Sequence, residues 1–250
     1  MTPRTTTSSP AAAPSVRSPD PTTLSSGTPG ATPSALLPLP SLADQAERLI
    51  ALGVHDLAGL SGREVRDAVG RLAASVPDGG LLAVHPRLAA PSVLAPLLRL
   101  GDKEGFVVVD MDDVDRFEPL EGLELPEEAL YVVTDVERGD DMANWSPDEA
   151  LPEIVRRGRT PLVLSEGIHW ALQAPDVVAR NHCFMTIGSR LRKDKGRLDS
   201  RTPAVWISNG TGRDGKERRG APKVGWCWAG NRHTWLGFAS GARRVGTEGR

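Results

Sequence analysis

KVGWCWAGNRHTWLGFAS, residues 223–240, repeats every second residue on both sides of a polar turn. Val224, Trp226 and Trp228 alternate with Gly225, Cys227 and Ala229. A strand here sends the large side chains to one face and the small ones to the other. Large residues on one face call for cover or a ligand, and small residues on the other let a neighbour approach the backbone. Gly230-Asn231 is a turn-forming pair, after which TWLGFAS resumes the strand pattern. Working outward, CFMTIGS (183–189) and AVWIS (204–208) show the same period of two. With KVGWCWA (223–229) and TWLGFAS (234–240) they give four strands separated by Gly- and charge-rich segments, and antiparallel pairing is expected.

Upstream of Asn181 the pattern differs. Ser41 with Asp44, and Ser61 with Glu64, have capping-box spacing ahead of helical apolar repeats. LLAV (81–84), FVVVD (106–110) and LYVVTDV (130–136) read as strands. A helix over 91–100 between the first two predicts a strand–helix–strand unit. SPDEALPEIVRRG (146–158) is a helix capped by Ser146, with Pro147 in its first turn and Gly158 at its end. A second short helix, 166–173, follows Ser165, which reads as its cap. The fold class is therefore α+β: N-terminal helices and a small α/β portion (41–180), then an antiparallel β part (181–243), in one globular domain over 41–243. Residues 1–40 are Pro, Ser, Thr and Ala with three charges and no aromatic side chain, too little apolar area to offset the entropy of ordering, and are expected to be disordered.

The chain has 250 residues, a net charge of −2, 39% hydrophobic and 25% charged residues. That composition is globular, with no global pull towards nucleic acid or a membrane surface. No apolar run is long enough to span a bilayer, the N-terminus lacks a secretory apolar core, and two cysteines build neither a disulfide framework nor a four-thiolate metal site. A reduced, cytoplasmic protein is expected, without a membrane or nucleic-acid partner.

Several clusters have both a chemical and an ordinary meaning. Asp110, Asp112, Asp113 and Asp115 follow a strand, but the calcium-loop spacing fails and a solvated turn suffices. Between 190 and 219, ten Arg or Lys face four Asp or Glu. Without interleaved aromatics this is a charged loop, offset by the acidic stretch 102–128. Cys183 shares a strand face with Met185 and Ile187, which makes it a buried, inert thiol, while His182 points the other way. Glu166 and His169 share a helix face, as an acid/base pair, half a metal site, or a surface or capping interaction. No metal site, glycine-rich phosphate loop, dinucleotide fingerprint or nucleophile elbow is present, and no cofactor is identified.

The combination GRTPL…EGI (158–168), NHCF…GSR (181–190), PAVWIS (203–208) and APKVGWCWAGNRHTWLG (221–237) resembles an actinobacterial family known only as a domain of unknown function. The resemblance runs from about residue 42 to 243 and implies no activity, cofactor or catalytic residue. The insertion between PAVWIS and APKVGW looks peculiar to this chain.

The leading expectation is a small-molecule-binding or accessory protein with a pocket floored by Trp226, Trp228 and Trp235. Asn231 and His233 would supply polar contacts, and Lys223 or Arg190 would neutralise an anionic group. The alternative is an enzyme of small-molecule metabolism with His233 as acid or base and Glu166, His169 or Cys227 as partner. A third reading is a protein-interaction module presenting an exposed tryptophan patch to a protein partner.

Overall fold

The computed structural model describes residues 38–76 and 80–247. The expected disordered tail falls almost wholly outside the described residues. The helices are α1 (Leu42–Ala51), α2 (Val54–Leu57), α3 (Gly62–Ala73), α4 (Pro91–Leu94), α5 (Pro147–Arg156) and α6 (Leu164–Gln173). Ser41 accepts the Asp44 N–H at 3.1 Å, and capping boxes at Ser61/Glu64 and Ser146/Glu149 satisfy first-turn N–H groups, as their spacing predicts. The helix expected over 91–100 stops after one turn and a short 3-10 segment, Ala95–Leu97. Pro96 has no N–H to continue the ladder, and Leu98 is extended.

The strands in chain order are β1 (Leu81–Val84), β2 (Arg99–Leu100), β3 (Lys103–Glu104), β4 (Phe106–Val107), β5 (Phe117–Pro119), β6 (Leu130–Thr134) and β7 (Thr160–Pro161). They continue with β8 (Cys183–Met185), β9 (Ser189–Leu191), β10 (Arg201–Ile207), β11 (Pro222–Trp228), β12 (Leu236–Phe238), β13 (Ser240–Gly241) and β14 (Arg243–Val245). A three-stranded antiparallel sheet has the order β1-β6-β14, and a five-stranded sheet has the order β12-β8-β10-β11-β4. The mixed α+β class stands, but the strand–helix–strand unit does not form. β1 and β4 belong to different sheets, with the β2–β3 hairpin between them in the chain.

The five-stranded sheet is mixed. Its centre, β8-β10-β11, is antiparallel as expected, whereas β12 joins β8 and β4 joins β11 in parallel. The segment 223–240 is thus not a hairpin: β8 and β10 lie between its two strands. Gly230-Asn231 does turn the chain, with Asn231 N–H donating to the Trp228 carbonyl at 3.0 Å. The Asp148 N–H donates to the Ala229 carbonyl, and the Asn144 N–H to the His233 carbonyl. Those bonds spend the loop's carbonyls on the start of α5 instead of on a hairpin ladder. The expected close approach to the small face of β11 is made by Trp206, which lies where a Gly225 side chain would project.

The two halves of the chain exchange strands: β4 edges the later sheet, and β14 completes the earlier one against β6. Between the sheets lies α6, in contact with both β1 and β10, and every one of its ten residues is buried. Gly167 makes this possible, because a side chain there would sit 2.4 Å from Thr186 Cγ2. Trp170 packs on Phe184 at 5.4 Å between ring centroids. No described helix is long and apolar enough to cross a membrane.

Candidate functional site

A helix buried all round is ordinarily apolar. α6 reads LSEGIHWALQ, and burying Ser165, Glu166, His169 and Gln173 is costly unless each finds partners. Glu166 finds several. Arg244 on β14 grips it with two bonds, Nε to Oε1 at 2.6 Å and Nη2 to Oε2 at 2.7 Å. Tyr131 donates to Oε1 at 2.9 Å, and the Val163 N–H donates to Oε2 at 2.8 Å. Burial, with the Glu166 charge beside it, holds the Tyr131 phenol well above its ordinary pKa, so it stays a donor. His169 donates from Nδ1 to the Ser165 carbonyl at 2.7 Å and accepts the Val84 N–H at Nε2. Burial pulls its pKa down to about 4, so the ring is neutral.

Gln173 is half satisfied, its Nε2 donating to the Gln45 carbonyl at 3.1 Å while its Oε1 has no partner, and Ser165 has no side-chain hydrogen bond at all. Val163, not Ser165, is the N-cap, and Ser165 is the second helical residue. Its Oγ is buried and has no hydrogen-bond partner. Ser189 on β9 takes the capping role, accepting the Leu164 N–H at 2.9 Å. The first intrahelical bond runs from the Gly167 N–H to the Val163 carbonyl, so the Ser165 N–H lies ahead of it.

Ser165 faces a cavity of about 460 Å³. Pro91, Phe117, Leu123 and Leu125 supply its apolar wall, and His85, Arg87 and Ser189 join Ser165 as polar lining. Six described side-chain polar atoms are buried without a partner, and of the residues that carry them only Ser165 lines the cavity of about 460 Å³. His85 follows β1 directly, so the strand end sets its place. The Arg87 N–H donates to His85 Nδ1 at 3.2 Å, which leaves the ring proton on Nε2. Burial, reinforced by the Arg87 charge, lowers the His85 pKa and keeps the ring neutral. Arg87 itself is held by Glu127 at 2.9 Å. Asp115, also on the rim, accepts from both Ser92 N–H and Ser92 Oγ.

The sequence pattern of a family of unknown function, DUF5701, matches residues 48–247. The chain belongs to that family. Its matched span contains every residue that lines the cavity. No curated protein and no solved structure matches the chain.

The residues singled out in the sequence are dispersed. Trp226 pairs edge-on with Trp228 at 4.5 Å, while Trp235 meets Trp206 at 6.4 Å and His233 at 5.4 Å. The expected floor is thus two separate aromatic pairs. Trp226 and Lys223 line a second, smaller cavity of about 200 Å³ with Trp206, Asp110, Arg213 and Asp214. Lys223 is already committed there: its Nζ bonds Asp214 at 2.5 Å and stands over the Trp206 ring. Trp228, Trp235, Asn231, His233 and Arg190 line neither cavity. Asn231 is exposed, Arg190 donates to the Asp199 carbonyl, and His233 Nε2 is buried without a partner. Burial lowers the His233 pKa.

Glu166 and His169 share a helix face but bond separate partners in the core rather than a surface neighbour, so the expected pairing of the two does not form. Cys183 and Cys227 are free thiols whose burial raises their pKa to about 11, so neither is a thiolate at neutral pH. The aspartates of 110–115 splay apart, Asp110 to Arg213, Asp113 to Arg201 and Asp115 to Ser92. Much of the basic segment folds onto these and other local acids. Among the described residues, no group of three or more His, Cys, Asp or Glu could hold a metal ion.

Proposed function

We propose that this chain is a small-molecule-binding protein whose ligand occupies the cavity at the start of α6. The observation that carries the reading is Ser165 Oγ, a buried donor and acceptor with no protein partner at the wall of a cavity of ligand size. The supporting arrangement is densely hydrogen-bonded. The Glu166–Arg244–Tyr131 cluster fixes the first turn of α6, and the Ser189 cap fixes its position against β9. Two free thiols fit a reducing, cytoplasmic setting. An acid/base role for His233 draws less support, since its Nε2 contacts no second titratable group.

Ligand-observed NMR against a metabolite panel tests the proposal, with Leu123→Trp as the variant that fills the apolar end of the cavity. Ligands that bind the native chain and are lost in Leu123→Trp support the reading. Ligands that bind both forms equally, or no binding at all, overturn it.

A further inference from the structure

The polar lining of the same cavity has a chemical sign, and we infer that its ligand is an apolar monocarboxylate whose carboxylate is received at Ser165 and His85. This inference rests on the binding function proposed above and names its ligand class.

The groups without protein acceptors are donors. Ser165 offers a buried hydroxyl with no partner, at the N-terminus of a ten-residue helix whose dipole favours negative charge there. His85 is neutral, and the Arg87 N–H occupies its Nδ1, so the ring meets a ligand as an Nε2–H donor. That tautomer also removes Nε2 as a proton acceptor, which argues for recognition rather than general-base chemistry at this histidine.

Three of the acceptors in the lining are engaged, whereas the Glu118 carboxylate has no partner among the described residues. Asp115 is held by Ser92, Glu127 by Arg87, and Ser189 Oγ by the Leu164 N–H. An acceptor group on the ligand therefore finds the Ser165 hydroxyl and the His85 Nε2–H, although three carboxylates stand in the same lining. Charge at the rim limits the ligand further. Asp115, Glu118 and Glu127 outnumber Arg87 among the lining residues, so a doubly charged phosphate meets net repulsion that a single carboxylate meets less. Phe117, Leu123 and Leu125, with Pro86 and Pro91, leave the remaining volume apolar.

Four matched probes test this by titration calorimetry on the full chain: 3-phenylpropanoate, 3-phenylpropanamide, 3-phenylpropylamine and phenyl phosphate. The carboxylate should bind most tightly, at least tenfold ahead of the amine and the phosphate. Ser165→Ala and His85→Phe should each weaken it about tenfold or more, the loss expected for a hydrogen bond to a charged group. Both variants should weaken the amide less than the carboxylate, because a neutral acceptor gains less from the same donors. Amine or phosphate binding as tight as the carboxylate, or a carboxylate indifferent to both substitutions, overturns the ligand class while leaving the cavity as a binding site. If none of the four probes binds, the ligand class fails; if in addition no panel ligand depends on Leu123, the binding function fails with it.

Discussion

The first turn of α6 and the tryptophan end of β11 make opposite use of unusual residues. At α6, charged and polar side chains are sealed between two sheets, and Glu166 and His169 are matched by partners from distant parts of the chain: Arg244 lies 78 positions from Glu166, and Val84 85 from His169. At β11, large aromatics stand near the surface with short-range company, and Trp228 remains 46% exposed. Compositional rarity marks the second region, yet a cavity with an unsatisfied wall belongs to the first. A site is better marked by a polar group that a well-satisfied network leaves free than by the density of scarce residues.

The sharpest way to break this contrast is Glu166→Ala. It leaves Arg244 buried beside an emptied partner and frees the Tyr131 hydroxyl, so a loss of about 3–5 kcal/mol is expected in chemical denaturation. A loss below about 1 kcal/mol, the size of an exposed ion pair, would mean that α6 is not the organising element it is taken to be.

His169 gives the next effect, in pH. Its folded pKa, about 4, lies below the ordinary 6.5. The unfolded chain therefore takes up a proton between those values that the folded chain refuses, and stability falls as pH drops from about 6.5 towards 4. The span corresponds to roughly 3 kcal/mol. His169→Gln should flatten that part of the stability profile, measured as denaturation midpoints across pH. An unchanged slope would assign the acid sensitivity elsewhere.

Much of the fold was legible because it rests on local chemistry. Ser41, Ser61 and Ser146 announce their helices through caps a few residues away, and the alternation in 204–208 and 223–229 places two strands that pair over Arg201–Ile207 and Pro222–Trp228. What local pattern does not carry is which strands become neighbours. The Gly-Asn turn signalled a reversal, but bonds from Asn144 and Asp148 claim the loop, and β12 goes to the far edge beside β8. The site was hidden for a similar reason. Ser165 before an apolar run has the form of a cap, and only the arrival of Ser189 from β9 releases it from that role. His85 and Arg87, in HPR directly after LLAV, carried the one available signal: polar residues at a strand end, where α/β proteins commonly bind ligands.

A smaller effect should come from the aromatic region. Trp228→Ala removes an edge-on ring contact and half-exposed area, so about 1 kcal/mol of stability is expected to be lost. Binding of cavity ligands should be unaffected, because Trp228 does not line that cavity. A simultaneous loss of ligand affinity would join the two regions into one site.

The smallest expected change in stability is at the residue assigned the most direct part in binding. Ser165→Ala deletes a buried hydroxyl that no protein group satisfies, so the free chain should be unchanged or stabilised by up to about 1 kcal/mol in thermal or chemical unfolding. Glu166, one residue on, behaves oppositely because its bonds are made within the protein. A serine retained only to hold the helix start would reverse this sign, since loss of a capping side chain costs about 1 kcal/mol. A stabilised but ligand-blind Ser165→Ala would show that this position gives up stability for a contact the folded chain does not itself supply.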